Sequence, residues 1–562
     1  MKKIILIFLA LVFLSFTDKR VSAQIYDWNW AKNALGDKSD RATGICADGN
    51  GSIFITGWFK SSAISFGTHT LFNAGDNDTT DVYIAKYDAS GNVLWAKSAG
   101  GPGWDEGYGI VADKSGNVYI TGLFTSDTIV FGNDTLIKGT MDNGDIFVVK
   151  YDSMGNVCWA KKAYGSFYAI GMGIAVDRND NIYITGAFAL PYVIFGNDTL
   201  INLATHDIYD FFVAKYDQAG NILWVRNQDG EGGGFEEGRS IATDNTGNVY
   251  ITGVFASSLL TFGDTTLVNA DNIGGEDIFI VKYDSSGSVL WAGSVAGSDE
   301  NDGSYGITTA EDGSMYLTGY FKSHSIALDS MVLTNSGFPE AAVFIAKYNR
   351  YGKVSWAHSI SGSYDNCAQA ITADSSGNAY ITGWFKSPAL TFGSHVLSNV
   401  YPGYADIFIA KYDSSGNPVW AKSTGGYSSD WSNSMCTDKS GNIYISGVFN
   451  SLSMTMGNTV LSNSGYEDIF IARLSSAATE IHDTLVTENK FEVFPNPAGN
   501  SIEVVTNQKS VITIFNGEGQ IIKTMHTDDG ESTIDLENLP KGIYLIKAET
   551  IKGIMIKKII KV

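Results

Sequence analysis

Acidic and aromatic residues fall together in six short, glycine-rich segments: GGPGWDEGYG (100–109), GSFYAIGMG (165–173), DGEGGGFEEGRS (229–240), AGSDENDGSYG (296–306), GSYDNC (362–367) and GGYSSDWSNS (425–434). Their candidate ligand-binding residues are Trp104, Asp105, Phe235, Glu236, Glu237, Asp299, Tyr364, Asp365, Asp430 and Trp431. A ring beside carboxylates suits a sugar, whose apolar face stacks while its hydroxyls donate to the acids. The competing reading is an acidic, solvated mouth in which the aromatics fill gaps between structural units. Acid pairs such as Asp105-Glu106 and Glu236-Glu237 suit acid/base chemistry only if the fold sets them at a useful separation.

Other chemistry is poorly supported. The seven histidines, His69, His206, His324, His358, His395, His482 and His526, are scattered, and no HExxH or short Cys/His spacing suggests zinc. No GxSxG, phosphate-binding loop or dinucleotide fingerprint stands in a fitting context, so no catalytic residue, metal or cofactor is assigned. DNDTTD (76–81) and DRNDN (177–181) offer alternating oxygens, but neither has the glycine and distant Glu of a complete calcium loop, and turn chemistry accounts for them. Cys46 and Cys436 stand where other repeats carry Val111, Ala175, Ala242, Thr308 or Thr372, and Cys158 stands where Leu94 and Leu223 do. All of these are read as buried free thiols.

The elements that must position these segments are written as self-similarity. The motif YITG and its variants place a hydroxyl residue at Thr56, Thr121, Thr185, Thr252, Thr318, Thr382 and Ser446, at spacings of 65, 64, 67, 66, 64 and 64 residues. Each copy holds four strand-like pieces, as in GIVAD (109–113), NVYITGLF (117–124), DIFVVKYD (145–152) and GNVCWAK (155–161). Val, Ile, Tyr, Phe and Thr dominate them, and DKSGN and YDSMGN are tight-turn sequences. The middle two pieces are apolar on both alternating faces, so their sheet needs cover on both sides. Seven such units describe an all-β fold: a seven-bladed β-propeller. The seventh copy runs from DIFIARLSS (468–476) into AATEIHDT without a fourth piece, while WNWAK (28–32) supplies one at the N-terminus. The array is therefore expected to close with an N-terminal outer strand, and Trp30, Trp95, Trp159, Trp224, Trp291, Trp356 and Trp420 then give one buried Trp per blade.

An acid recurs at the start of the third piece, as Asp81, Asp145, Asp210, Asp277, Asp406 and Asp468, and is read structurally, as is the Lys after it; the fifth copy lacks the acid. A binding site must come from what breaks the symmetry. Strand parity puts the long second-to-third and blade-to-blade connections, which include the six segments above, on one face.

Residues 1–23 read as a signal peptide, with Lys2 and Lys3, an apolar run from Ile4 to Phe16, and Val21-Ser22-Ala23 before Gln24. Beyond Ala23 no run is apolar for long enough to form a membrane helix, so the mature chain is expected to have no transmembrane segment. The formal charge is −22, and loss of residues 1–23 removes four basic residues and one acid to leave −25. Such a body repels phosphate backbones and anionic headgroups, which argues against nucleic acid as a partner.

The repeats resemble the family of bacterial seven-bladed propeller repeats through GNVYITGxF, DIFVAKYDxxG and NVLWAK, over about residues 25–475. The resemblance implies a fold and no single activity. Residues 476–490 read as a linker. The strands FEVFPNPAGNSIEVV (491–505), VITIFNGEGQIIKTM (511–525), STIDLENLPKGIYLIKAE (532–549) and GIMIKKIIKV (553–562) read as a small C-terminal β-sandwich. This tail resembles the C-terminal sorting domain of type IX secretion cargo, through Phe494-Pro495-Asn496-Pro497, Gly517 to Gly519, Leu539-Pro540-Lys541-Gly542-Ile543-Tyr544 and Lys557-Lys558-Ile559-Ile560-Lys561. The resemblance implies the type IX machinery as a partner and a secreted or outer-membrane surface location in a Gram-negative bacterium. The domain reading is thus a signal peptide over 1–23, a propeller over 24–475, a linker over 476–490 and a sorting sandwich over 491–562. The expected function is a non-enzymatic binding or adhesion protein presenting a propeller face to a polysaccharide or a surface protein. The alternatives are a glycan-active enzyme with carboxylates in the funnel, or a structural surface-layer component.

Overall fold

Each YITG copy becomes the second strand of a four-stranded antiparallel sheet in the computed structural model. The structure describes residues 25–75, 78–139, 143–165, 167–189, 191–202, 209–228, 230–231, 234–270, 275–297, 300–464, 466–477, 491–506, 509–516, 520–527, 530–550 and 553–562. The expected signal peptide and most of the expected linker lie outside them. Sheet 1 runs through Asp40–Ala47, Ile53–Phe59, Asp81–Tyr87 and Val93–Ala99. Sheets 2 to 6 repeat this order from first strands Asp105–Ala112, Ala169–Val176, Glu236–Thr243, Asp302–Thr309 and Asn366–Ala373. In sheet 7, Asp430–Thr437, Ile443–Phe449 and Asp468–Ala477 are followed in space by Ile25–Ala34, which pairs antiparallel with the third strand from Ile25↔Ala477 to Ala34↔Ile469. The third strand therefore continues past residue 475, because Ile25 and Tyr26 still pair with Ala477 and Ser476.

The second and third strands are buried on both faces, as their unbroken apolar sequence requires, and each sheet lies against its neighbours. The hydroxyl of the motif is a staple between these strands: Thr56 donates to the Tyr83 carbonyl at 2.7 Å, Thr185 to Phe212 at 2.7 Å and Thr382 to Phe408 at 2.8 Å. The glycine of the motif makes room for its partner strand. Every first strand carries a bulge after its third residue, and a Cβ on Gly57 would lie 1.9 Å from the Arg41 carbonyl oxygen, one on Gly253 1.8 Å from that of Glu237.

Neighbouring sheets are latched at the outer strand. Trp95 donates its indole N–H to the Ser153 carbonyl, in the turn between strands three and four of the next sheet, at 3.3 Å; Trp159, Trp224 and Trp356 repeat this with Gln218, Ser285 and Ser414. Trp30, on the N-terminal strand, does the same to Ala89 of sheet 1 at 3.0 Å. Trp420 of sheet 6 meets the ring of Tyr26 at 5.0 Å instead, since sheet 7 has no such turn. Only Trp159 and Trp224 are fully buried; the other five keep a partly exposed edge, because the outer strand is the rim of its sheet. The Lys of the third strand crosses the same junction, with Lys86 Nζ 2.9 Å from the Ser153 carbonyl and Lys215 Nζ 2.9 Å from that of Ser285.

The long second-to-third connection folds into a two-stranded hairpin, and in two cases this hairpin extends the outer edge of the preceding sheet: Tyr192–Phe195 pairs with Val157–Gly165, and Ser325–Leu328 with Val289–Gly297. An outer strand that would expose unpaired backbone is covered in this way. The four cysteines are free thiols. Cys158 is exposed rather than buried, because the second residue of the fourth strand faces outward, as Leu94 and Leu223 also do at 50% exposure.

The array strands belong to one compact unit and the tail strands to another. In the tail, a three-stranded sheet (Phe491–Phe494, Ser501–Thr506, Gly530–Asp535) and a four-stranded sheet (Ser510–Phe515, Ile521–Thr527, Gly542–Thr550, Gly553–Lys561) share a core of Ile502, Val504, Ile512, Ile514, Ile534 and Ile546. The Lys561 ammonium is buried and donates to the carbonyls of Leu536, Glu537 and Leu539, so one charge of the basic end is a structural pin.

Candidate functional site

The first residue of each first strand decides what the candidate acids do. These residues are Asp40, Asp105, Ala169, Glu236, Asp302, Asn366 and Asp430. Asp105 is buried and accepts hydrogen bonds from the amides of Thr125 and Ser126 and, at 2.7 Å, from the Ser126 hydroxyl. Asp40 clasps Lys60 and Ser61 in the same way, Asp302 clasps Lys322 and Ser323, and Asp430 clasps Asn450 and Ser451. Asp105 and Asp430 therefore point inward and tie down the chain leaving the second strand, a repeated structural task. The sequence carried a signal for it: the third repeat replaces acid and serine together, with Ala169 and Leu190.

Each clasp stands beside the acid that opens the third strand of the preceding sheet, and like charge adds to burial. Burial pushes the Asp40 and Asp302 carboxyls up to about 7 against the pull of their clasp hydrogen bonds, with Asp468 and Asp277 raising them further. Burial likewise takes Asp81 to about 7, with a further rise from Asp105, and Asp406 to about 6, with a further rise from Asp430. Asp430 itself rises to about 6 through burial. The junction between sheets 5 and 6 has neither acid, carrying Ala342 and Asn366. Close to it an open pocket of about 470 Å3 is lined by Phe338, Pro339, Glu340, Ser361 and Gly362 among others.

What does break the symmetry is the bulge. The seven extra residues are Thr43, Tyr108, Met172, Arg239, Tyr305, Gln369 and Asn433. No two sequence neighbours in this row are alike, although the backbone around them repeats. Three of them reach the next first strand: the Thr43 hydroxyl donates to Gly107 at 2.7 Å, the Asn433 amide to Ala42 at 2.9 Å, and the Arg239 guanidinium lies 5.0 Å over Tyr305. Arg239 is the most elaborated of them. Its Nε donates to Glu237 at 2.7 Å, another nitrogen lies 3.5 Å from Glu276, Tyr305 stacks on Tyr320 at 5.9 Å, and buried Nη1 has no hydrogen-bond partner. Burial lowers the guanidinium's affinity for its proton, but Glu237 and Tyr305 beside it turn the net shift upward. Burial raises Glu276 despite Arg239. Arg41, also on a first strand, pairs with Glu467 at 2.8 Å and covers Trp58.

The remaining candidates divide. Glu237 belongs to the Arg239 cluster. Glu236 is a buried first residue in the clasp position, and half-buried Phe235 accepts the Ala256 amide through its carbonyl. Trp104 is 60% exposed, with its indole N–H 3.3 Å from the Asp78 carbonyl. Tyr364 is exposed, and Asp365 holds the Ala341 amide at 2.9 Å. Trp431 is half-buried opposite Val448. Asp299 lies outside the described residues, as do Asp76 and Asn77 of the first weighed calcium segment; in the second, Asp177 is filled by the amides of Asn179 and Asn181 and by the Tyr183 hydroxyl. The described candidates stand at or just before the starts of four different first strands. The bulge row escaped the motif reading because its only signal is variation at a position flanked by small residues.

Comparison with known families bears on both units. Residues 492–562 match the secretion system C-terminal sorting domain, and residues 94–123 match the β-propeller repeat. The array carries propeller repeats, and the tail is a type IX sorting domain. The sorting domain marks a secreted or cell-surface protein recognised by the type IX machinery. The chain is 25% identical over 463 residues to an uncharacterized WD repeat-containing protein, L264, of Acanthamoeba polyphaga mimivirus, covering 68% of this chain and 32% of that protein. It is 25% identical over 298 residues to the regulatory protein FlaEY of Caulobacter vibrioides, covering 49% of this chain and 29% of that one. The chain thus spans about a third of the length of these relatives. A crystal structure of a Dyadobacter fermentans protein of unknown function aligns with a TM-score of 0.36 at 9% identity, over 80% of this chain and 99% of that one. Among the described residues no helix is long and apolar enough to cross a membrane.

Proposed function

We propose that this is an exported, non-enzymatic binding protein: a closed seven-bladed propeller over residues 24–477, preceded by a signal peptide and followed by a linker and the sorting domain. One face is presented to a polysaccharide or to a surface protein outside the cell. The observation that carries this reading is the bulge row, where seven equivalent backbone positions hold Thr, Tyr, Met, Arg, Tyr, Gln and Asn. Repetition holds where the fold needs it and lapses at one surface, as expected when that surface serves recognition. Closure is supported by the Trp30 latch to Ala89 and by the Asn433 and Thr43 bonds, which run on from sheet 7 through sheet 1 to sheet 2. The glycan-active alternative loses Asp105 and Asp430 to the clasps.

The test is a binding screen of the chain lacking residues 1–23 on a glycan panel and on whole bacterial cells, with reducing-sugar release followed in the same samples. Retention without sugar release is the expected result. Sugar release that Glu237→Gln abolishes would establish the enzyme instead, and absence of any binding would remove the recognition reading.

A further inference from the structure

The connection between the second and third strands of sheet 6 reads NVYPGYAD (399–406), and it brings Tyr401 and Tyr404 together with Tyr427 from the connection between sheets 6 and 7. Ring centroids lie 5.6 Å apart for Tyr401 and Tyr404 and 6.4 Å apart for Tyr401 and Tyr427. The three rings are 51%, 47% and 79% exposed, respectively. Resting on the proposed recognition role, we infer that Tyr401, Tyr404 and Tyr427 form a stacking platform for the pyranose rings of an uncharged polysaccharide.

The loop is held before any ligand arrives. Asn399 donates to the carbonyls of Phe385 and Tyr404, each at 2.9 Å, and accepts the Tyr401 amide at 2.7 Å. The Val400 amide goes to Asp406, the Tyr404 amide to the Tyr401 carbonyl, and the Gly403 amide, at a φ of +96° that favours glycine, to the Lys386 carbonyl. The Tyr427 connection is tied to the same loop, since the Ala405 amide donates to the Ser429 hydroxyl and the Asp430 amide to the Ala405 carbonyl. Asn73, Asn269, Asn335 and Asn463 make the same staple in other sheets, so the scaffold is general and the aromatic filling belongs to this one. A loop backbone held in this way loses little freedom on binding.

Chemistry selects the occupant. Tyrosines offer an apolar face for the C–H side of a sugar and a hydroxyl at the edge for its oxygens, which suits a pyranose better than a greasy peptide side chain. The platform itself carries no charge, and a chain at −22 repels anionic polymers. An uncharged glycan chain lying across the rings of two connections fits both facts.

The experiment uses the whole chain without residues 1–23, as wild type, as Tyr401→Ala/Tyr404→Ala/Tyr427→Ala, and with all three changed to Phe. The probes are microcrystalline cellulose, xylan, amylose and a β-1,3-glucan, with alginate as the anionic control, and each variant's melting temperature is recorded. Expected are retention on at least one uncharged glycan, a loss of affinity of roughly tenfold or more in the Ala variant at an unchanged melting temperature, and a smaller loss in the Phe variant. Wild-type binding that the Ala variant keeps would overturn the platform while leaving glycan recognition elsewhere on the face intact. Binding to alginate alone would overturn the choice of an uncharged ligand, and binding to cells but to no glycan would put a protein in its place.

Discussion

Deleting residues 25–33 is expected to lower the melting temperature of the array by ten degrees or more, on the order of 2–4 °C for each kcal/mol lost, or to leave it aggregated. The segment is one edge of sheet 7, paired along its length with Asp468–Ala477. Its removal strips the backbone partners of that strand, exposes the core around Phe470, Ala472 and Leu474 that Tyr26 and Ala31 help to cover, and breaks the Trp30 latch to sheet 1. A bare strand edge beside an uncovered apolar face also invites association between molecules. Differential scanning calorimetry of the truncated and intact chains, each carried by the same signal sequence, measures the difference. An unchanged melting temperature would mean that sheet 7 is complete without its N-terminal strand.

Stability is expected to fall as pH rises from about 5 to 8, opposite to the usual behaviour of carboxylates. The acids at the sheet junctions have folded values above the ordinary 3.8: about 7 for Asp40, Asp81 and Asp302, and about 6 for Asp406 and Asp430. A group raised in the folded state binds its proton more tightly there, so its contribution is complete below about pH 4 and is lost as pH climbs through 6 to 7. The turn acids Asp88, Asp152, Asp217, Asp284 and Asp413 are lowered by Asn or Ser side chains and turn amides working against burial, and their contribution disappears instead as pH falls below 4. The two sets leave a maximum near pH 4 to 6, with a melting temperature several degrees higher at pH 5.5 than at pH 8. Asp81→Asn, which removes one raised acid and keeps its shape, should flatten the alkaline limb. An alkaline limb that Asp81→Asn leaves as steep as in the wild type would contradict the assignment of the effect to these junctions.

Much of this architecture is legible in the chain, and for identifiable reasons. YITG recurs because Thr staples two strands in sheets 1 to 6, where the seventh sheet has the unbonded Ser446 hydroxyl, and because Gly admits a bulged neighbour in every sheet. The fourth strand missing from the seventh repeat and the spare WNWAK at the start point to one sheet because each is useless alone. The candidate site was harder to read. Asp105 and Asp430 look like ligands in a glycine-rich loop, and only their place as first residues of buried strands, with a serine 21 positions on, shows them to be clasps. Arg239 and its row are marked by no motif, since these residues differ from one repeat to the next. The tyrosine platform joins residues 401, 404 and 427 across two connections, and that proximity is a property of the folded chain alone.

The first and last strands of the array pair within sheet 7, and a cross-link between them reads that pairing out. Ala31 and Ala472 are register partners, both buried, on the N-terminal strand and the third strand of sheet 7. With Cys46, Cys158, Cys367 and Cys436 replaced by Ser, the pair Ala31→Cys and Ala472→Cys is oxidised, the chain is cut once in an exposed connection near its middle, and the products are run with and without reductant. The two halves are expected to stay covalently joined until reduced; halves that separate without reductant, while each single-cysteine variant folds normally, would mean that the two strands do not pair.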